Sequence, residues 1–420
     1  FFKQKTAYEI YQCDWSSDVC SSDLPDAPDS TSVGGSDLEL TILMPCLNEA
    51  ETLPQCITKA RRFLTETQVA GEVLVADNGS TDGSAELAAK LGARVVMVAE
   101  RGYGHVLRGG IAAARSRFVI MGDADDSYDF AALGAFLAQL RAGADLVQGC
   151  RLPVGGGTIE PDAMPPTHRW LGNPLFSALA RRMFRVPVSD IYCGLRGFRR
   201  ELIPTLDLRC EGMEFATEML IKASLRGVRI AEVPITLHRD GRTAHPPHLR
   251  TFRDGWRTLR FFLICSPRWL FVYPGLALLA FGALGYAVAM PGLTLFGATF
   301  DAHTLLFASL ALMVGYQAVL FGWLARTLAA REGFLPEPKW LARLREVLSL
   351  ERGLFFGSVT LLAGVALLLA AVWQWQSVQF GRLDYAHTMR WVIPGVTLTA
   401  LGFQTVLASF FVAVLGWYRK

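Results

Sequence analysis

Asp123, Asp125 and Ser127 stand two residues apart in the run Asp123-Ala124-Asp125-Asp126-Ser127, directly after the apolar tetrad Phe118-Val119-Ile120-Met121. Carboxylates at i and i+2, where a short buried strand gives way to a turn, can both reach one hard cation. Such a cation keeps coordination places for phosphate oxygens. The carboxyl end of a strand is also where open α/β sheets bind ligands. The same residues serve equally well as a solvated, helix-capping turn, because Asp readily bonds its own neighbouring backbone. Taken alone, the run is balanced between a metal site and a capped turn.

The elements that must position it are legible as an alternation. Leu40 to Met44, Glu72 to Ala76, Arg94 to Ala99, Phe118 to Met121 and Leu146 to Cys150 read as short strands. Between them Thr52 to Thr65, Ser84 to Leu91, His105 to Ala114 and Phe130 to Arg141 carry helical spacing. Strands alternating with helices imply a mainly parallel sheet covered on both faces, and continuous apolar strands agree with that. Each strand ends in residues able to do chemistry: Pro45, Asn48 and Glu49; Asp77 to Asp82; Arg101 to Gly104; the Asp123 run; and Arg151. Ordinary turn chemistry accounts for any one of these, whereas five on one edge describe a ligand crevice. The chain has neither a G-x-G-x-x-G followed by a ribose-binding acid nor a phosphate-loop G-x-x-x-x-G-K-[ST], so dinucleotide and P-loop folds fit poorly.

The motifs Thr41-Ile42-Leu43-Met44-Pro45-Cys46-Leu47-Asn48-Glu49, Val75-Ala76-Asp77-Asn78-Gly79-Ser80-Thr81-Asp82, Gly102-Tyr103-Gly104 and Asp123-Ala124-Asp125 resemble family 2 glycosyltransferases of the GT-A fold. The resemblance spans about Leu38 to Arg260. It is nearest to the membrane-attached polyprenyl-phosphate (dolichol-phosphate) mannosyl- and glucosyltransferases. It implies that Pro45, Asn48, Glu49, Asp77, Ser80, Gly104, Asp123 and Ala124 hold a nucleotide sugar. It implies further that Asp123, Asp125 and Ser127 hold Mg2+ or Mn2+, with Asp125, Arg151 and Arg196 in the catalytic set. Asp190-Ile191-Tyr192-Cys193-Gly194-Leu195-Arg196 resembles the family's Asp-x-x-Ser-Gly-Phe-Arg, with Cys193 for Ser and Leu195 for Phe. The family's Gly-x-Ser-Lys is matched only by Gly241-Arg242-Thr243-Ala244, which places Arg242, with Arg239, at the acceptor phosphate. Gly155-Gly156-Gly157 and Pro161 to Pro166 read as a mobile loop, Asn173 to Phe184 as a helix, and Glu214 with Glu218 as either a capped, exposed helix face or part of the site.

Composition then separates two halves. With 51% hydrophobic residues and a mean hydropathy of +0.29, the chain is too apolar for an ordinary soluble enzyme, and the excess follows Arg268. The net charge of +3 hides a basic stretch, Arg239, Arg242, Arg250, Arg253, Arg257, Arg260 and Arg268, against Asp240 and Asp254. Leu249, Phe252, Trp256, Leu259 and Leu263 form an apolar helical stripe, and the arginines one residue on form a basic stripe about 100° around. Residues 241–268 are therefore expected to form an interface helix lying on the bilayer, with packing on the chain's own sheet as the competing use. Leu270 to Met290, Leu305 to Ala325, Leu354 to Ala371 and Trp391 to Gly416 are charge-free runs about 27 to 39 Å long as helix, against a hydrocarbon core of about 30 Å. They predict spans at about 270–290, 305–325, 354–374 and 391–416 within a membrane domain of residues 269–420. No Asp, Glu, Lys, Arg or His lies inside the four, which argues against an ion or proton path.

Arginine and lysine in the middle loop (Arg326, Arg331, Lys339, Arg343, Arg345, Arg352) and at Arg419-Lys420 put the catalytic domain and both termini on the cytoplasmic side, with Arg382 and Arg390 as exceptions. Trp340, Leu341, Leu344 and Leu348 suggest a second interface helix. The eight cysteines lack a C-x-x-C pair and read as reduced thiols, and no nucleic-acid motif accompanies the basic residues. Residues 1–36 read as a non-native or disordered leader; Phe1 to Leu24 looks like translated sequencing-adapter read-through. The expected architecture is thus a GT-A-type α/β domain at 37–240, a mainly parallel sheet sandwiched by helices, followed by four transmembrane helices.

The function this implies is inverting transfer of a hexose from a UDP- or GDP-sugar to a polyprenyl phosphate in the bilayer. Two other readings share the fold: a membrane glycosyltransferase extending a glycan or glycolipid, and an inactive membrane scaffold. No Q-x-x-R-W motif of the processive kind is present. Oligomeric state stays open, with a homo-oligomer among the assemblies that paired hairpins allow.

Overall fold

The computed structural model describes residues 38–242, 251–295, 297–331 and 349–417. The leader, Leu249, Arg250, the second interface helix at Trp340 to Leu348, Lys339, Arg343, Arg345 and the terminal Arg419-Lys420 lie outside the described residues.

The α/β layer runs β1 (Leu40–Cys46), α1 (Leu53–Glu66), β2 (Gly71–Asp77), α2 (Ser84–Lys90), β3 (Arg94–Met97), α3 (Tyr103–Ala113), β4 (Phe118–Met121), α4 (Gly134–Arg141) and β5 (Leu146–Cys150). Then follow β6 (Thr158–Ile159), α5 (Asn173–Phe184), β7 (Arg196–Arg199), α6 (Leu202–Leu206), α7 (Glu214–Leu225), β8 (Ile230–Pro234) and β9 (Thr236–Leu237). The main sheet has the order β3-β2-β1-β4-β7-β5-β8. Its strands pair in parallel except β7, which lies antiparallel to both β4 and β5. Alternate residues feed two cores. Ile42, Met44, Val73, Val75 and Ile120 pack toward α1 and α4, while Leu43, Leu74, Ala76, Val119 and Met121 pack toward α3 and α7. Apolar residues on both faces are what a doubly covered sheet requires.

Three expectations change. β7 joins the sheet although Arg196-Gly197-Phe198-Arg199 has two charges in four residues and no strand-like alternation. Its place depends on Gly197, where a Cβ would stand 3.1 Å from Leu140 and 3.2 Å from Ile120. The helix expected from Phe130 begins at Gly134 instead, because Phe130 and Leu133 are buried in the turn before it. The loop expected to be mobile is tied down: β6 pairs in parallel with β9, and Gly157 N–H donates to Leu152 O at 3.1 Å.

After the sheet, α8 (Thr251–Cys265) leads through a π-turn, Arg268–Val272, into α9 (Tyr273–Ala289); then come α10 (Ala302–Arg331), α11 (Leu350–Ser377) and α12 (Tyr385–Trp417). Helices long and apolar enough to cross a membrane cover Arg268–Ala289, Ala302–Arg331, Leu350–Ser377 and Tyr385–Leu415. Glycine seams join them in pairs. Cβ atoms at Gly275 and Gly315 would each stand 2.8 Å from the other's carbonyl oxygen, and Gly402 would meet Leu361 N at 2.4 Å. Small residues of this kind let apolar helices approach closely where no hydrophobic effect drives them together. Tyr286 joins Ser309 and Thr397 (2.7 and 3.2 Å), and Tyr316 joins Thr405, so polar contacts link the first hairpin to the last helix.

α8 uses both of the faces that competed for it. Thr258 and Phe262 are buried, and the Phe262 ring meets Phe176 and Phe184 of α5 edge-on at 6.2 and 5.4 Å. The stripe read from the sequence points elsewhere: Phe252 is 94% and Trp256 60% exposed. Packing on the α/β layer therefore leaves the aromatic stripe outward. Arg390, an exception to the charge asymmetry, lies in the first turns of α12 and donates to Asp301, just before α10, at 3.1 Å.

Candidate active site

The ends of β1 and β2 are laced together before any ligand enters. Asn48, in the left-handed region at φ 59°, accepts the Thr81 N–H on its side-chain oxygen at 2.8 Å, and its own N–H donates to Ser80 Oγ at 2.9 Å. Asp77 is fully buried; its Oδ2 accepts the N–H groups of Gly79 and Ser80, each at 2.9 Å. Its Oδ1 is buried and has no partner among the described residues. Pro45 sits in a central strand without cost on the β4 side, because that ladder ends at Leu43.

The acidic run closes the adjoining wall. Thr52, at the N-cap of α1, does not cap that helix; its hydroxyl reaches across to Ala124 O at 2.6 Å and joins the β1 and β4 ends. Asp123 Oδ1 accepts from the Tyr103 hydroxyl at 2.9 Å. Burial, and then the charge of Asp125, push the Asp123 carboxyl up to about 6, against the pull of Tyr103, Arg196 and Arg242. Asp125 Oδ1 accepts from the Ser127 hydroxyl at 2.6 Å, and its Oδ2 from Arg242 Nη2 at 3.2 Å. Asp126, at φ 61°, turns away to Lys59 Nζ at 2.7 Å. Two hard carboxylates in one partly buried loop, with a guanidinium already drawn to one of them, make a donor set that fits a divalent oxygen-seeking cation.

Other expected residues stand elsewhere, for physical reasons. Arg196, expected in the catalytic set, is fully buried at the start of β7, with its guanidinium donating to Cys193 O at 2.8 Å and to Ala216 O. It acts on Asp123 through charge, and its Nε is buried with no hydrogen-bond partner among the described residues. Arg151 is likewise committed: it forks onto buried Asp190 at 2.7 and 2.9 Å and adds its own N–H at 3.1 Å. A bidentate pair of this kind already neutralises the guanidinium. Gly104 serves packing, since a Cβ there would lie 2.3 Å from Cys210 O, and its N–H donates to Glu211 O at 2.8 Å. Glu218 accepts from Cys210 N at 2.8 Å and pairs with Lys222 at 2.8 Å, so it braces a loop. Cys193 is sealed in, and burial pushes its thiol up to about 12.

Arg239 bonds Pro161 O at 2.8 Å and Asp162 at 2.7 Å on the rim. Arg242 lies inside, between Glu49 Oε1 (3.1 Å), Asp125 and Asp240 (2.8 Å). Tyr103, Thr52, Tyr128 and Gly194 were not singled out by sequence. Gly194 donates its N–H to Tyr128 Oη at 2.8 Å, and a Cβ on it would stand 2.4 Å from Asp123 Oδ2. The quoted motifs contained Tyr103 and Gly194, but nothing in their spacing showed that both face Asp123.

Residues 41–206 match the model "Glycosyl transferase family 2", and residues 323–416 match "Glycosyltransferase family 2 C-terminal transmembrane region". The chain is similar to the low-salt glycan biosynthesis hexosyltransferase Agl6 of Haloferax volcanii, 37% identical over 381 residues, covering 90% of this chain and 89% of that protein. It is also similar to the dolichyl-phosphate hexose transferase of the same organism, 33% identical over 210 residues, covering 50% of this chain and 87% of that protein. Together with the GT-A-type sheet and the four apolar helices, these matches show that the chain belongs to glycosyltransferase family 2, as an integral membrane member of it.

Proposed function

We propose that this chain transfers a hexose from a UDP- or GDP-sugar to a polyprenyl phosphate at the cytoplasmic face of a membrane, with inversion at the anomeric carbon. The observation that carries the proposal is the join between crevice and bilayer. A family 2 site is fused to four spans through α8, which docks Phe262 on the catalytic layer while turning Phe252 and Trp256 outward. An acceptor with its phosphate at headgroup level suits that join. The similarity to a dolichyl-phosphate hexose transferase supports the same acceptor class. In this reading residues 37–240 are the catalytic domain, 241–268 the interface segment and 269–420 the membrane domain.

Within the site, the orphan Oδ1 of Asp77 is the acceptor for a nucleobase N–H, which would relieve a buried oxygen otherwise costing about 1–3 kcal/mol. Asn48 and Ser80 hold the two loops around it, and Pro45 and Glu49 line the β1 end. Asp123 and Asp125, with Ser127 orienting Asp125, would hold Mg2+ or Mn2+, which when bound supplies charge neutralisation for the departing nucleoside diphosphate. A phosphomonoester has its second pKa at about 6, so the lipid phosphate is already mostly dianionic at neutral pH and needs no side-chain base. Its oxygen forms the new bond to the anomeric carbon as the bond to the diphosphate breaks. Arg242 and Arg239 meet the acceptor phosphate, while Arg151 and Arg196 position the walls.

The test offers labelled UDP- and GDP-sugars to the detergent-purified chain with polyprenyl phosphates and Mg2+ or Mn2+. Labelled lipid phosphate sugar is expected from one donor. Label only in a longer glycan or glycolipid would favour the extension reading, and no metal-dependent turnover of any donor would favour a scaffold.

A further inference from the structure

Arg242 stands where positive charge is most wanted. Its Nη1 lies 3.1 Å from Glu49 Oε1 and its Nη2 3.2 Å from Asp125 Oδ2, while Asp240 grips it through Nε at 2.8 and 3.0 Å. Its side chain is only 10% exposed. The backbone fixes it there, because Gly241 N–H donates to Asp125 O at 2.9 Å and His238 N–H to Ser127 O at 3.0 Å. Asp125 spends Oδ1 on Ser127, so Oδ2 is the oxygen it has to offer, and Arg242 holds that oxygen. A guanidinium and a divalent cation repel each other, and they do not share one carboxylate oxygen in a site of low dielectric without loss.

We propose that Arg242 is the resident counter-ion of the acidic loop, exchanged for the divalent cation when the donor enters, and that the guanidinium so released is the one that meets the acceptor phosphate. This rests on the metal and acceptor readings above and adds an order to them: the acceptor site is completed only after cation and donor have taken Asp125. Asp240 is the tether that keeps the freed arginine at the crevice. The fork geometry of arginine is required, since lysine offers a single point charge and does not bridge Glu49, Asp125 and Asp240 together.

The test measures Mn2+ binding to the full-length chain by electron paramagnetic resonance without nucleotide, in wild type, Arg242→Gln, Arg242→Lys and Asp125→Asn. Arg242→Gln is expected to bind Mn2+ about tenfold tighter than wild type and Arg242→Lys several-fold tighter, while Asp125→Asn loses the site. Equal or weaker binding by Arg242→Gln overturns the exchange, and Arg242→Lys at the wild-type value overturns the requirement for the arginine fork. Should Arg242→Gln fail to fold, Arg242→Lys carries the comparison. No Mn2+ bound by any form overturns the metal reading itself, a separate failure. The order is read by binding of a short-chain polyprenyl phosphate, expected several-fold tighter once Mn2+ with UDP or GDP is present. Unchanged binding with both nucleotides overturns the order.

Discussion

At the scale of single residues, the site depends on which atoms of Asp123 and Asp125 remain for a ligand. Tyr103 and Ser127 each hold one carboxylate oxygen, Arg242 holds Asp125 Oδ2, and Asp123 Oδ2 lies beside Gly194. Asp125→Asn removes the charge but keeps an acceptor for Ser127, so transfer is expected to fall at least about a hundredfold while the melting temperature holds; radiolabel transfer and calorimetry on the same preparation check this. Gly194→Ala sets a methyl against Asp123 Oδ2 and the Tyr128 ring. It is expected to cost about 1–3 kcal/mol of stability and to weaken Mn2+ binding, measured by thermal unfolding and metal titration. The carboxylates stand out in sequence as acids at i and i+2 after a strand, but that spacing alone suits a capped turn as well, and only the family resemblance favours a metal there. Arg151 and Arg196 were not legible: an arginine committed to Asp190 or to carbonyl oxygens has the same letter as one that awaits a phosphate.

At the scale of elements, the strands with both faces apolar were legible, and β7 was hidden because its burial comes from two flanking strands remote in sequence, reached through its own Gly197. α8 shows another limit. Its outward stripe of Phe252 and Trp256 follows from helical period, whereas its docked face at Thr258 and Phe262 depends on what α5 presents to it. The two faces predict separable effects. Phe252→Ser with Trp256→Ser is expected to leave thermal stability within about 1 kcal/mol while slowing transfer to lipid acceptor in vesicles, as compared with hydrolysis of the donor. Phe262→Ala is expected to cost about 3–5 kcal/mol, read by chemical unfolding, because it opens a cavity between α5 and α8.

For the whole molecule, the two halves obey different solvents. The sheet hides apolar side chains from water, while the spans expose Phe355, Phe356, Leu362 and Trp373 and hold together along glycine seams and hydroxyl contacts. Span positions were plain from composition, since length and lack of charge suffice; which helix packs on which depends on where glycines face, and composition is silent on that. Gly402→Leu is expected to part α11 from α12 and lower thermal stability in detergent, with nucleotide binding in the catalytic layer unchanged, as paired melting and binding titrations would show.

The contact between Glu49 and Arg242 joins residues 193 apart in sequence, and the Asp123–Ser127 loop takes main-chain hydrogen bonds from His238 and Gly241. Local contacts form early in folding, and contacts of such separation wait for loop closure to be overcome. The crevice is therefore among the last parts of the layer to be completed, assembled when the chain returns past its first strand on its way to the bilayer. A nascent chain ending before β9 would have its sheet but no finished site, so donor turnover reports that the catalytic layer has folded to its end.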